Sequence, residues 1–102
     1  MASILEQPIL GLGTEFPDHV FILKHAPTGR YGCYCHEGIH GLAVFSDEAH
    51  ALNFGSAIDI SNLEICMVSF DESRDVAKGR PLPVVAVMLL DQLDAPVIHF
   101  VR

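Results

Sequence analysis

Apolar residues along this chain fall into short runs of strand length, and two of those runs lead directly into a helical spacing. His19-Val-Phe-Ile-Leu-Lys-His25 is rich in β-branched and aromatic residues and predicts a strand. Ala26-Pro27-Thr28-Gly29 follows with Pro at the second turn position and Gly at the fourth, as a type I turn prefers. Residues 30–36 then alternate, so 19–36 is expected to form an antiparallel hairpin. Glu37-Gly38 makes a second break, and Leu42-Ala-Val-Phe45 resumes as a strand.

A weak internal repeat comes next. Leu42-Ala-Val-Phe-Ser-Asp-Glu-Ala and Cys66-Met-Val-Ser-Phe-Asp-Glu-Ser each run from an apolar strand into an Asp-Glu pair. Ser46 is expected to cap the first helix, with Asp47 and Glu48 in a first turn whose positive dipole end favours anions. Ala51, Phe54, Ala57 and Ile58 recur at three- and four-residue spacing and predict its core-facing stripe. Ser69 and Glu72 have capping-box spacing for a second, short helix over 71–79, with Asp71 an equally good cap. Gly79 and Pro81 stop that helix. Two copies of the unit are too few for a solenoid.

Val84-Val-Ala-Val-Met-Leu-Leu90 is the most apolar run and is expected to lie centrally in the sheet, buried on both faces. Val97-Ile-His-Phe-Val101 closes as a strand antiparallel to it. The element order β-β-β-α-β-α-β-β predicts a single small α+β domain over residues 18–102. It has a mixed sheet of five to six strands with two helices packed on it, and neighbouring strands parallel across right-handed crossovers. Residues 1–17, interrupted by Pro8, Gly11, Gly13 and Pro17, predict an irregular arm.

Composition narrows the partners. Thirteen acids against six bases give a formal charge of −7, and the bases are scattered. A phosphate backbone requires a clustered positive surface, and an anionic membrane requires a polybasic face. Neither nucleic acid nor membrane is an expected partner. No run is apolar and long enough to cross a bilayer, and no secretory signal is evident. Half the residues are apolar, more than a core of this size needs, so a homodimer is expected to cover the surplus. The last strand, with Arg102 as its one gatekeeping charge, offers an edge for strand pairing with a protein partner. Three cysteines, an odd count, argue against a disulfide framework and for a reduced, cytoplasmic protein.

The densest chemistry lies in Cys33-Tyr-Cys-His-Glu-Gly-Ile-His40. Thiolate and imidazole are the ligand pair zinc prefers, which makes Cys33, Cys35, His36 and His40 candidate metal ligands. Strand geometry opposes them. Cys33 and Cys35 would share a face with Cα atoms ~6.5–7 Å apart. A tetrahedral zinc needs sulfurs about 3.8 Å apart. His36 would point the other way. The favoured reading is that both cysteines fill the core and the histidines are turn residues. A nucleophilic Cys35 or Cys33 is the third reading. Adjacent strand residues face opposite ways, so its activating imidazole would have to be His19, His25 or His99. Cys66 is expected in the core. There is no P-loop, no G-x-S-x-G and no HExxH. The expected role is a non-enzymatic interaction or ligand-binding module, with zinc binding as the alternative and a cysteine-dependent enzyme after that.

Overall fold

The computed structural model of the chain describes residues 16–58 and 60–102. The arm expected over 1–17 therefore lies outside the described residues up to position 15, and Phe16 at its end is buried in the core. The strands are β1 (His19–His25), β2 (Arg30–Tyr31), β3 (Cys33–His36), β4 (Ile39–Phe45), β5 (Leu63–Ser69), β6 (Val84–Leu89) and β7 (Val97–Phe100). The helices are α1 (Glu48–Ala57), after β4, and α2 (Phe70–Gly79), after β5. All seven strands belong to one mixed sheet, whose spine runs β5-β1-β4-β6-β7. The α+β architecture is the one the pattern predicts, with one strand more because the second run is split.

The split occurs at Gly32. β1 and β4 pair directly only at Phe21–Phe45 and Ile22–Val44. Beyond that point they diverge, and each forms its own hairpin arm, β1 with β2 and β4 with β3. Gly32 sits in the fork, its N–H donating to the Leu23 carbonyl at 2.8 Å and its carbonyl accepting from the Ala43 N–H at 2.9 Å. The expected hairpin over 19–36 is thus corrected. It holds for Lys24–Tyr31 and His25–Arg30, after which the chain crosses to β4. The third strand also begins earlier than Leu42. Glu37 and Gly38 both have positive φ, 50° and 82°, which makes a tight two-residue turn that puts Ile39 straight back into the ladder.

Alternation along the central strands assigns the two faces. Val20, Ile22, Leu42, Val44, Val87 and Leu89 pack under Val76 and Ala77 of α2. Leu23, Ala43, Phe45 and Met88 pack on the other face with Ala51 and Phe54 of α1. The helices therefore cover opposite faces. The crossover through α1 carries the chain from β4 past β1 to the edge, and the one through α2 carries it back. A common hand for both crossovers requires opposite faces. Because β1 lies between β4 and β5, the expected parallel neighbours reduce to one pair, β4 with β6. β7 is antiparallel to β6, and β6 is buried, as its composition predicts.

Local signals hold in part. Ser69 and Glu72 form the reciprocal capping box of α2. The cap of α1 is Asp47, not Ser46: the Asp47 carboxylate accepts from the His50 N–H at 2.8 Å, while Ser46 is held by Asp91. The α1 stripe is also narrower than expected. Ala51 is buried and Phe54 half-buried, but Ala57 and Ile58 are exposed. The helix approaches the sheet through Gly55, where a Cβ would stand 3.6 Å from Leu63 Cδ1.

Gly41 marks the tightest contact between β4 and β6. A Cβ there would lie 2.7 Å from Met88 Cγ and 3.1 Å from the Ala86 carbonyl oxygen. Gly41→Ala is expected to destabilise the domain by about 1–3 kcal/mol in urea unfolding through overpacking. Combined with Met88→Ala its cost should fall well short of additive, because the clash is removed. An additive pair would contradict this account of the contact.

Candidate functional site

The thiol-bearing segment is extended and pairs across the β3–β4 hairpin as Cys33–Leu42, Tyr34–Gly41, Cys35–His40 and His36–Ile39. Directly opposed residues point to the same face. Cys33, Cys35 and His40 therefore lie on the α2 side with Leu42, while His36 and Tyr34 lie on the α1 side. The hairpin brings His40 opposite Cys35 and leaves His36 across the sheet, 3.8 Å from Glu37. No group of three or more His, Cys, Asp or Glu among the described residues is arranged to hold a metal ion. The core role expected for the two cysteines is corrected: both are exposed, because α1 packs on the Tyr34 face of this arm through Phe54 while α2 does not cover the face that carries the thiols.

The Cys33 sulfur nevertheless turns back to within 3.7 Å of the Tyr31 carbonyl. Burial of the thiol pushes its pKa up, against the opposing charge of Arg80. That favours the thiol over the nucleophilic thiolate. The histidines named as possible activators are engaged elsewhere or unpaired with sulfur. His25 bonds the Thr28 hydroxyl at 2.8 Å, and His99 packs edge-on against Phe16 and Phe70. Cys66 is half-buried against the α2-side core.

A polar cluster absent from the sequence expectations stands where parallel β4 and β6 end. Asp91 accepts from the Ser46 N–H at 3.0 Å and from the Ser46 hydroxyl. His50 Nδ1 lies 2.8 Å from Asp47 and 4.0 Å from Asp91. Open α/β sheets place ligands beyond the carboxyl ends of strands whose connections diverge, and this is such a point. The neighbouring cavity, lined by His50, Asn53, Phe54 and Leu93, is about 210 Å³. That is small for a ligand site, where ~300–1,000 Å³ is usual. Asp91 is also already used in joining the two strand ends. Its sequence signals were the Asp47-x-x-His50 spacing and the matched positions of Ser46 and Asp91 after two strands.

The larger unpartnered surface lies at the opposite edge. β5 pairs with β1 over all seven residues, from His19–Ser69 to His25–Leu63, and with no other strand among the described residues. It contains neither Pro nor Gly. Its one charge, Glu64, lies opposite Lys24 of β1. Met67 is 62 % exposed on the α1 face, and Leu52 at 53 % and Ile60 at 51 % line a cavity with Ile65, two residues along β5 from Met67. Two cavities of about 290 and 340 Å³ adjoin there and share Leu23, Ile60 and Leu63 as walls. One runs under Leu52 and Gly55 to Ile65; the other runs under Ile58 to Tyr31.

The other edge, β7, is four residues long with Phe100 exposed. Arg102, expected as a gatekeeping charge, turns inward instead. Its guanidinium donates to the carbonyls of Val84 and Arg80, each at 2.6 Å, and of Lys78, at the C-terminal end of α2 where cations are favoured. No helix among the described residues is long and apolar enough to cross a membrane. No family model, no curated protein and no solved structure matches this chain.

Two histidines are expected to titrate on opposite sides of the ordinary value near 6.5. The hydrogen bond that His50 donates to the Asp47 carboxylate raises His50, and burial, aided by the charge of Arg74, lowers His99. The stabilising contribution of His50 is complete below 6.5 and is lost as pH rises through its folded pKa. That of His99 is complete above 6.5 and is lost as pH falls through its folded pKa. Imidazole resonances followed by NMR should show this order, with Asp47→Asn returning His50 toward its ordinary value. A His50 midpoint unmoved by that change would contradict the geometry.

Proposed function

We propose that this domain is a non-enzymatic protein-interaction module that recruits a further β-strand at the open edge of β5. One observation carries the reading. A seven-residue strand free of Pro, Gly and unbalanced charge has no partner on its outer hydrogen-bonding side among the described residues. Natural sheets blunt such edges with charges, bulges or covering segments, and where they do not, the edge serves for pairing. Main-chain bonds would supply affinity, and side chains fitting the apolar cavities beside Leu52 and Ile60 would supply selectivity.

The acidic net charge of −7 speaks against nucleic acid and anionic membranes as partners. Three free thiols suit the reducing cytoplasm, where we place the protein. Zinc binding through Cys33, Cys35, His36 and His40 has less support, since His36 faces away from the other three. A cysteine enzyme has less still, since burial raises the Cys33 pKa.

A synthetic peptide carrying residues 62–71, flanked by lysines for solubility, should bind the full chain with NMR shift changes concentrated on β5 and Leu52. Met67→Lys should weaken binding about tenfold or more, because an apolar contact worth ~1.5–3 kcal/mol is lost and each ~1.4 kcal/mol is tenfold. Met67→Gln, which sets no charge against the lysine-flanked peptide, should weaken binding in the same way. Shift changes scattered away from β5, or binding indifferent to Met67→Lys, would contradict the proposal.

A further inference from the structure

Resting on the strand-addition reading, we infer that the strand received at this edge is the β5 of a second copy, paired antiparallel about a two-fold axis through Cys66, with each Met67 seated against its partner's groove. A two-fold perpendicular to the sheet keeps the α1 face of both copies on one side. Opposed residues must then share a face, so register can move only in steps of two residues. Of these registers, the one centred on Cys66 alone pairs all seven residues of β5. It sets Leu63 opposite the partner's Ser69, Glu64 opposite its Val68, and Met67 opposite its Ile65.

That last pairing makes the surface self-complementary. Met67 is the most exposed residue of the β5 face, and Ile65 is a wall of the cavity that runs under Leu52 and Gly55. Across the two-fold, a projecting side chain meets a hollow, and the exchange is reciprocal. Charge permits it as well. The two copies of Glu64 stand four residues apart along the strand, ~13 Å at ~3.3 Å per residue. That exceeds the ~8 Å Debye length at physiological salt. A register slipped to centre on Glu64 would set the carboxylates directly opposite each other.

The area is sufficient, though modest. Exposed Met67, Leu52 and Ile60 together offer on the order of 300 Å² of surface per copy, the size of a patch that is often functional. Two edge strands ~23 Å long bring the total to roughly 1,100 Å², just above the ~1,000 Å² a specific interface requires. The dimer is therefore concentration-dependent.

The test uses the full chain with Cys33→Ser and Cys35→Ser, both exposed positions, leaving Cys66 as its one thiol. Light scattering across a wide concentration range should show monomer giving way to dimer. Copper–phenanthroline with oxygen, which takes two electrons and two protons from the paired thiols, should then link Cys66 to Cys66. Opposed antiparallel Cα atoms, ~4.5–5.5 Å apart, lie within disulfide reach. Met67→Lys in the same background should abolish both signals. A chain that stays monomeric at every concentration overturns the second copy as partner while leaving peptide binding at β5 intact. A dimer that does not link through Cys66, or that survives Met67→Lys, overturns the register. Loss of peptide binding together with dimerisation removes the strand-addition reading itself.

Discussion

The outer hydrogen-bonding side of β5 is the constraint around which the rest of this structure is arranged. Backbone N–H and C=O groups are costly to leave unpaired when shielded from water, and a sheet satisfies them in its interior by construction. Here the interior strands β1, β4 and β6 are flanked on both sides, and the described chain leaves β5 with a partner on one side only. Solvent can satisfy the open groups, but the side chains beside them are poorly suited to it. Met67 holds apolar surface in water on the α1 face of β5, as do Leu52 and Ile60 around the cavity that Ile65 walls. The open backbone groups and these side chains are together the basis of the proposed strand addition.

How β5 comes to be an edge follows from the crossovers. α1 carries the chain outward from β4 over β1, and α2 carries it back to β6 on the other face. The outward excursion deposits β5 beyond β1, with no further strand to pair it among the described residues. α1 approaches through Ala51 and Gly55, so it covers Leu23 and the inner rim of β5 without reaching its outer rim. The grooves beside Leu52 and Ile60 are what that partial cover leaves. At the other end of the sheet Arg102 fastens the chain after β7 to the carbonyls of Val84 and Arg80. The two edges are thus physically different, one anchored by a cation and short, the other long and apolar.

Much of this was legible in the residues themselves. The β-branched runs became strands, and Ser69 with Glu72 became a capping box. The most apolar run, from Val84, became a buried strand beside β4. These depend on neighbours in sequence. What was not legible depends on residues far apart. The fork at Gly32 arises because Gly32 bonds β1 at Leu23 through its N–H and β4 at Ala43 through its carbonyl, residues far from it in sequence. Ser46 lost its capping role to Asp47 because Asp91, far along the chain, engages it. Strand order decided which edge is open, and no local pattern encodes strand order. Cys33–His36 is extended as its alternation predicts, yet its cysteines are exposed because α1 packs on the Tyr34 face and α2 does not cover the opposite one.

Hydrogen exchange of the β5 amides, measured on the unmodified chain at low and high protein concentration, tests the central claim most directly. Alternate amides of residues 63–69, those facing away from β1, should exchange freely when dilute and gain protection as concentration rises, while the amides bonded to β1 stay protected throughout. Outward amides that exchange equally at both concentrations, or protection that rises on β7 instead, would contradict it.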